Sequence, residues 1–246
     1  MNTYPRPVTQ LHQLEPTTRC NLRCVYCPQA LGTPKGSGFP RAREDMTMET
    51  FNQVMDLLKY YVKQGTQGEL AFTGIGEPTL HPELPQMMEQ ARKILGFGRP
   101  LVMSTNGLTF TEEIAKALEP LRVKVYVSLH RPEKAGPAIE IARRYGLFEN
   151  SNNGFATSSF NWAGQVKWHV SHDRTPCSYL YEGWGTVLVD GRVSTCCLDA
   201  DGSGVVGHVT DDPATLAMKP FKLCQTCSFA VPKLSDVPLT YVGRAA

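Results

Sequence analysis

The sequence predicts an α/β fold: a partial (β/α) barrel of about five parallel strands and four helices, followed by a small C-terminal β-hairpin unit rich in cysteine. Three observations carry this. From about residue 11 to 160, short apolar runs alternate with segments of helical period. Such alternation implies right-handed crossovers and hence a parallel sheet. After about residue 165 the helical period gives way to a hairpin pattern around Asp190-Gly191. The eight cysteines also fall into two groups, three within Cys20–Cys27 and five between Cys177 and Cys227. The division expected is a barrel over residues 1–165 and a cysteine-rich unit over 166–246. Five strands suit an open barrel better than a closed one, although the pattern alone does not fix closure.

In chain order, Leu11–Leu14 reads as the first strand. Thr47 is a candidate N-cap, with Glu49 in the first turn of a helix whose apolar set is Phe51, Val54, Met55, Leu58 and Val62. Gly65 and Gly68 end that helix. Glu69–Thr73 reads as a strand, and His81-Pro82-Glu83 opens a second helix with proline in its first turn. Its buried stripe is Leu84, Met87, Met88, Ala91 and Leu95, with the methionines as core filler. Pro100–Ser104 is the next strand, and Thr109 with Glu112 suggests a capping box for a short third helix. Val123–Ser128 alternates cleanly, and a fourth helix follows over about Glu133–Tyr145. Phe155–Phe160 supplies the expected fifth strand. Beyond it, Thr186–Val189 and Arg192–Thr195 flank the Asp190-Gly191 turn. The Gly- and Pro-rich loop Gly32–Asp45, bearing Lys35, Arg41 and Arg43, reads as a mobile surface loop or, more sharply, a substrate lid.

Composition narrows the function classes. With 41% hydrophobic and 20% charged residues, the 246-residue chain can build a sizeable core. A formal net charge of +2 offers no basic field, so neither nucleic acid nor an anionic membrane is expected as a partner. No apolar run approaches the roughly 18 residues that span a bilayer. The N-terminal residues lack the layout of a secretory signal, which makes the cytoplasm the expected compartment. Reduced cytosolic thiols then argue for metal ligands rather than disulfides.

Cys20-Asn-Leu-Arg-Cys24-Val-Tyr-Cys27 directly follows the first strand. Three thiolates so close can hold three irons of a [4Fe–4S] cube and leave the fourth iron without a protein ligand. An open coordination position separates catalytic from structural metal sites. Structural zinc, the alternative, wants four closed ligands. The C-x3-C-x2-C spacing, with Tyr26 before the last cysteine, resembles the defining motif of the radical S-adenosylmethionine (SAM) superfamily. The resemblance implies that the open iron chelates the amino and carboxylate groups of SAM. One electron then cleaves the cofactor to methionine and a hydrogen-abstracting 5′-deoxyadenosyl radical. Three later stretches support it. Gly74-Ile-Gly76-Glu77-Pro78 resembles the family's glycine–glutamate–proline turn, which meets the SAM ammonium. Ser104-Thr-Asn106-Gly107 resembles the segment along the cofactor's ribose and carboxylate. Ser128 ends the fourth strand, where a polar SAM contact is usual.

Cys177, Gly191, Cys196 and the pair Cys224-Gln-Thr-Cys227 resemble the SPASM and twitch extensions of the same superfamily. The shorter twitch form implies one auxiliary iron–sulfur cluster, for which Cys177, Cys196, Cys224 and Cys227 are the ligands assigned. Neighbours on a strand face opposite ways, so either Cys196 or Cys197 ligates, and the glycine spacing favours Cys196. Cys197 is then an inert thiol or a hydrogen-atom donor. A second zinc site is the alternative for this region. In size and layout the chain is similar to aminocyclitol dehydrogenases with a shortened barrel, a likeness of architecture and not of function.

The function expected is that of an oxidoreductase acting on a small-molecule or peptide substrate, with an electron donor such as flavodoxin or ferredoxin. His130 and Arg131, just past the fourth strand, are candidates for substrate contact, although a solvated pair is an equal reading. A redox-neutral epimerase, for which Cys197 is the first suspect as donor, and a peptide-modifying enzyme are the alternatives within the family. A non-catalytic zinc-binding module is the alternative outside it.

Overall fold

The computed structural model describes residues 4–24, 26–29, 41–152, 162, 165, 177–225 and 227. The central element is an eight-stranded sheet in the order β6-β5-β4-β3-β2-β7-β8-β9. Its parallel part comprises β2 (Gln10–Leu14), β3 (Leu70–Phe72), β4 (Leu101–Thr105), β5 (Lys124–Ser128) and β6 (Phe148–Asn152). β7 (Trp184–Val187) pairs in parallel with the other edge of β2, and β8 (Arg192–Ser194) and β9 (Val205–His208) continue antiparallel. The cysteine-bearing hairpin is thus hydrogen-bonded to the same sheet as the barrel strands. A short pair, β1 (Arg6–Pro7) with β10 (Ala217–Met218), ties the two ends of the described chain together. The arrangement is α/β with mostly parallel strands, and among the described residues no closed barrel forms.

Helices α1 (Met48–Gln64), α2 (Leu84–Leu95), α3 (Glu112–Leu118) and α4 (Pro132–Arg144) connect the parallel strands, and α5 (Ser178–Glu182) precedes β7. α1 starts where Thr47 accepts the Thr50 N–H and stops where Gly65 adopts φ 75°. Its buried face, Phe51, Val54, Met55, Leu57, Leu58 and Tyr61, packs into the core with Leu11, Leu14 and Phe72. Each such side chain contributes about 1.5–3 kcal/mol on burial. Among the described residues, no helix is long and apolar enough to cross a membrane.

Three local expectations change. α3 is capped by Thr111, whose hydroxyl accepts the Ile114 N–H, while Thr109 bonds the Thr79 hydroxyl at 2.6 Å instead. The proline inside the first turn of α2 is Pro85, since Glu83 is the N-cap and Pro82 lies before it. The fifth parallel strand is Phe148–Asn152, a polar run that pairs with β5. Phe155–Phe160 lies outside the described residues, as does most of the Gly32–Asp45 loop.

The two halves of the sheet meet over one buried carboxylate. Glu15, just past β2, accepts two hydrogen bonds from Arg41, at 2.6 and 2.9 Å. It also accepts the Ile75 N–H after β3 and the Val189 N–H after β7, both at 3.2 Å. Arg41 further donates to the Ala200 carbonyl at 2.8 Å. The side chains of this pair are 3% and 6% exposed. Removing one partner leaves an uncompensated buried charge, which costs about 3–5 kcal/mol. Arg41→Ala is therefore expected to lower the thermal midpoint by about 10 °C, measured by circular dichroism, whereas Arg144→Ala at the surface leaves it nearly unchanged.

Candidate functional site

The C-terminal ends of parallel strands are where α/β folds build sites, because loops leave there and strand backbone groups point outward. A cavity of about 370 Å³ lies over these ends. Cys20, Cys24 and Cys27 all line it. The segment that carries them is fixed at its base. Thr17 and Arg19 both bond the Asp45 carboxylate, and Thr18 exchanges hydrogen bonds with Glu44. Leu22 donates its N–H to the Cys20 sulfur at 3.4 Å, and Asn106 Nδ2 approaches the same sulfur at 3.9 Å. Burial, with the neighbouring thiols Cys20 and Cys24 adding to it, pushes the Cys27 thiol up to about 12. Burial likewise raises Cys20. Three cysteines on one segment that lines the cavity are the donor type and number that a cluster with three protein ligands takes.

The glycine–glutamate–proline turn follows β3. A Cβ at Gly76 would lie 2.1 Å from the Thr17 carbonyl oxygen, so only glycine lets this turn close on the cysteine segment. Glu77 donates its N–H to the Arg19 carbonyl and is 2% exposed. Its carboxylate, raised by burial, accepts four hydrogen bonds: from the Thr79 N–H and hydroxyl, the Thr105 hydroxyl and the Asn106 N–H. Glu77 lines the cavity, yet its oxygens are spent on holding the ends of β3 and β4 together. Asn106, so held, reaches Asn21 Oδ1 at 2.7 Å.

Gly74, Ser104, Ser128, Tyr26 and His130 complete this part of the lining. Tyr26 and His130 are joined, hydroxyl to Nδ1, at 3.0 Å, and burial lowers the pKa of the imidazole. Arg131 is not among the lining residues: it pairs with Glu133 at 2.6 Å and is 46% exposed. Cys197 lines the cavity beside Tyr179 and Leu198. Tyr179 is oriented by His12, whose ring stacks on Trp184 at 4.3 Å.

The other four cysteines are not among the lining residues. Burial pushes Cys177 up to about 11, with the Cys196 and Cys227 thiols adding to it. Burial pushes Cys224 up to about 12, with Cys196, Cys177 and Cys227 adding to it. The chain thus brings Cys177, Cys196, Cys224 and Cys227 within electrostatic reach of one another. Cys196 is raised first by its hydrogen bond with the Cys197 thiol and then by burial. Sequence reasoning missed Gln13, Gln29, Tyr179 and Glu15. Gln29 and Tyr179 each lie two residues past an assigned cysteine, the one signal by which they could have been found.

A model of the Radical SAM superfamily matches residues 14–152. The chain is 36% identical over 118 residues to the tungsten-containing aldehyde ferredoxin oxidoreductase cofactor-modifying protein of Pyrococcus furiosus, a match covering 47% of this chain and 29% of that protein. It is 33% identical over 132 residues to the GTP 3',8-cyclase of Aquifex aeolicus, covering 52% and 38%. The chain therefore spans well under half the length of these curated relatives. In fold it is similar to BtrN in complex with AdoMet and 2-DOIA, with a TM-score of 0.67, 18% identity and 86% of each chain covered. It is also similar to anSMEcpe with bound AdoMet and Kp18Cys peptide, at a TM-score of 0.57, 15% identity and 89% and 86% coverage.

Glu77→Gln tests the bracing role directly. An amide group would set a donor against donors, and the loss expected is about 2–3 kcal/mol in urea unfolding at neutral pH. An unchanged midpoint would mean that the four hydrogen bonds do not hold the turn.

Proposed function

The chain belongs to the radical SAM superfamily, and on that footing we propose that it is an oxidoreductase that dehydrogenates a small polar metabolite. The reading is supported most by one observation: besides the three cysteines that line the cavity, a second set of four, Cys177, Cys196, Cys224 and Cys227, lies within electrostatic reach of one another. When bound, the [4Fe–4S] cluster and SAM supply hydrogen-atom abstraction by a 5′-deoxyadenosyl radical, and an auxiliary cluster supplies an acceptor for the substrate's remaining electron.

The chain's own part is positional. Cys20, Cys24 and Cys27 provide three ligands and no fourth, which leaves room for SAM. Gly74 and Gly76 bring backbone close, Glu77 braces the turn, and Ser104, Asn106 and Ser128 offer polar contacts. Tyr26 and His130 form a hydrogen-bonded pair on the lining, and His130, held neutral by burial, is suited to accept a proton from a substrate hydroxyl. Cys177, Cys196, Cys224 and Cys227 are the proposed ligands of the auxiliary cluster, in a twitch-like unit over residues 166–246. Four cysteine ligands leave no open iron, which favours electron transfer over substrate binding. An acidic electron carrier such as flavodoxin or ferredoxin would reduce the first cluster.

One observation favours a second reading. Cys197 lines the cavity, where its thiol could return a hydrogen atom to a substrate radical, as an epimerase requires. Cys197→Ala distinguishes the two: it abolishes epimerisation and spares dehydrogenation. The zinc-module alternative falls with membership in the superfamily.

Anaerobic reconstitution is expected to load about eight irons per chain. Cys24→Ala is expected to reduce 5′-deoxyadenosine formation with dithionite and SAM to background. Cys227→Ala is expected to lower iron to about four per chain and keep SAM cleavage while disrupting substrate turnover. Equal loss of cleavage in both variants would contradict a separate auxiliary role.

A further inference from the structure

Gln29 lies two residues past Cys27 and is 1% exposed. Its side-chain nitrogen donates to the carbonyls of Thr18, at 2.6 Å, and Ile75, at 2.9 Å. Both amide donors are thereby used, and the orientation of the amide is unambiguous, because a flipped group would set oxygen against two carbonyl oxygens. The other end, Oε1, is buried and has no hydrogen-bond partner among the described groups, on a side chain that lines the central cavity. A buried acceptor left unpaired costs about 1–3 kcal/mol, so a donor belongs beside it. Among the described residues, the nearby backbone donors of the glycine–glutamate–proline turn are committed elsewhere. The Ile75 N–H is committed to Glu15, the Ile75 carbonyl to Gln29 itself, and the Glu77 N–H to the Arg19 carbonyl.

An amide oxygen only accepts, so it selects among ligand groups. SAM carries donors in its α-ammonium, its adenine amino group and its ribose hydroxyls, whereas the carboxylate and sulfonium carry none. The amino-acid end is the one with two metal-ligating groups, so it would face the cysteines, and Gln29, two residues past Cys27, lines the cavity with them. We infer that Gln29 Oε1 accepts a hydrogen bond from the α-ammonium of bound SAM, which makes Gln29 a side-chain determinant of cofactor affinity. This rests on the reading of the cavity as the SAM site. The same side chain spans the cysteine segment, through Thr18, and the glycine–glutamate–proline turn, through Ile75. It therefore sets the spacing of the two loops that the cofactor must bridge.

The test is SAM binding by isothermal titration to cluster-loaded protein, with iron content measured for each variant. Gln29→Leu removes the acceptor, and Gln29→Lys keeps a donor for the two carbonyls while setting a positive charge against the ammonium. SAM affinity is expected to fall about tenfold in the first, equivalent to about 1.4 kcal/mol, and further in the second. S-inosylmethionine, which lacks the adenine amino group, should lose as much as SAM. A SAM analogue lacking the α-amino group should bind wild type and Gln29→Leu equally. SAM affinity within twofold of wild type in Gln29→Leu would overturn the inference and leave Oε1 to an ordered water. An equal loss for the deaminated analogue would overturn it too, by showing a disturbed loop rather than a lost contact. Wild-type protein that holds iron but binds no SAM would sink the underlying reading and this inference with it.

Discussion

Everything in this molecule is arranged around three cysteines on one short segment that together line the cavity over the strand ends. Cys20, Cys24 and Cys27 are confined to one short segment, and that segment is pinned on both flanks. Asp45 and Glu44 hold its start through Thr17, Thr18 and Arg19, and Gln29 holds its end against Ile75. Burial first, and then the neighbouring Cys20 and Cys24 thiols, push Cys27 up to about 12. A cluster relieves that cost, and with three protein ligands it retains a position for a further ligand.

The second constraint is the buried carboxylate of Glu15. It touches the Arg41 guanidinium, the turn after β3 and the turn after β7 at once. A single side chain thus couples the glycine–glutamate–proline loop to the cysteine-bearing hairpin. Such a pair gives little net stability compared with an apolar filling, but its loss is severe, which makes it a device for fixing position. β7 adds to β2 in parallel, so the hairpin is aligned by the sheet as well as by this contact.

The cysteine spacing, the strand–helix alternation and the motif order were legible because each is local. Three cysteines within one segment advertise a shared ligand, and the apolar stripe of α1 repeats at the helical period. What stayed hidden depends on distant pairing. Nothing near Glu15 in sequence hints at Arg41 or Val189. β6, with the polar sequence Phe-Glu-Asn-Ser-Asn, becomes a strand because β5 offers it a ladder, not because its residues favour one. Glu77 was readable as a motif residue, while its work as a brace for Thr79, Thr105 and Asn106 required the fold. Arg131 was expected beside His130 at the cavity, but neighbours in a loop diverge readily, and it turns to Glu133 instead.

The most direct test of the open metal position is electron–nuclear double resonance on the reduced protein with SAM labelled at its carboxylate oxygens by a magnetic isotope. Three protein ligands and one open iron predict a resolved hyperfine coupling between the label and the cluster. Protein that binds labelled SAM and carries a reduced cluster, yet shows no such coupling, would contradict the assignment.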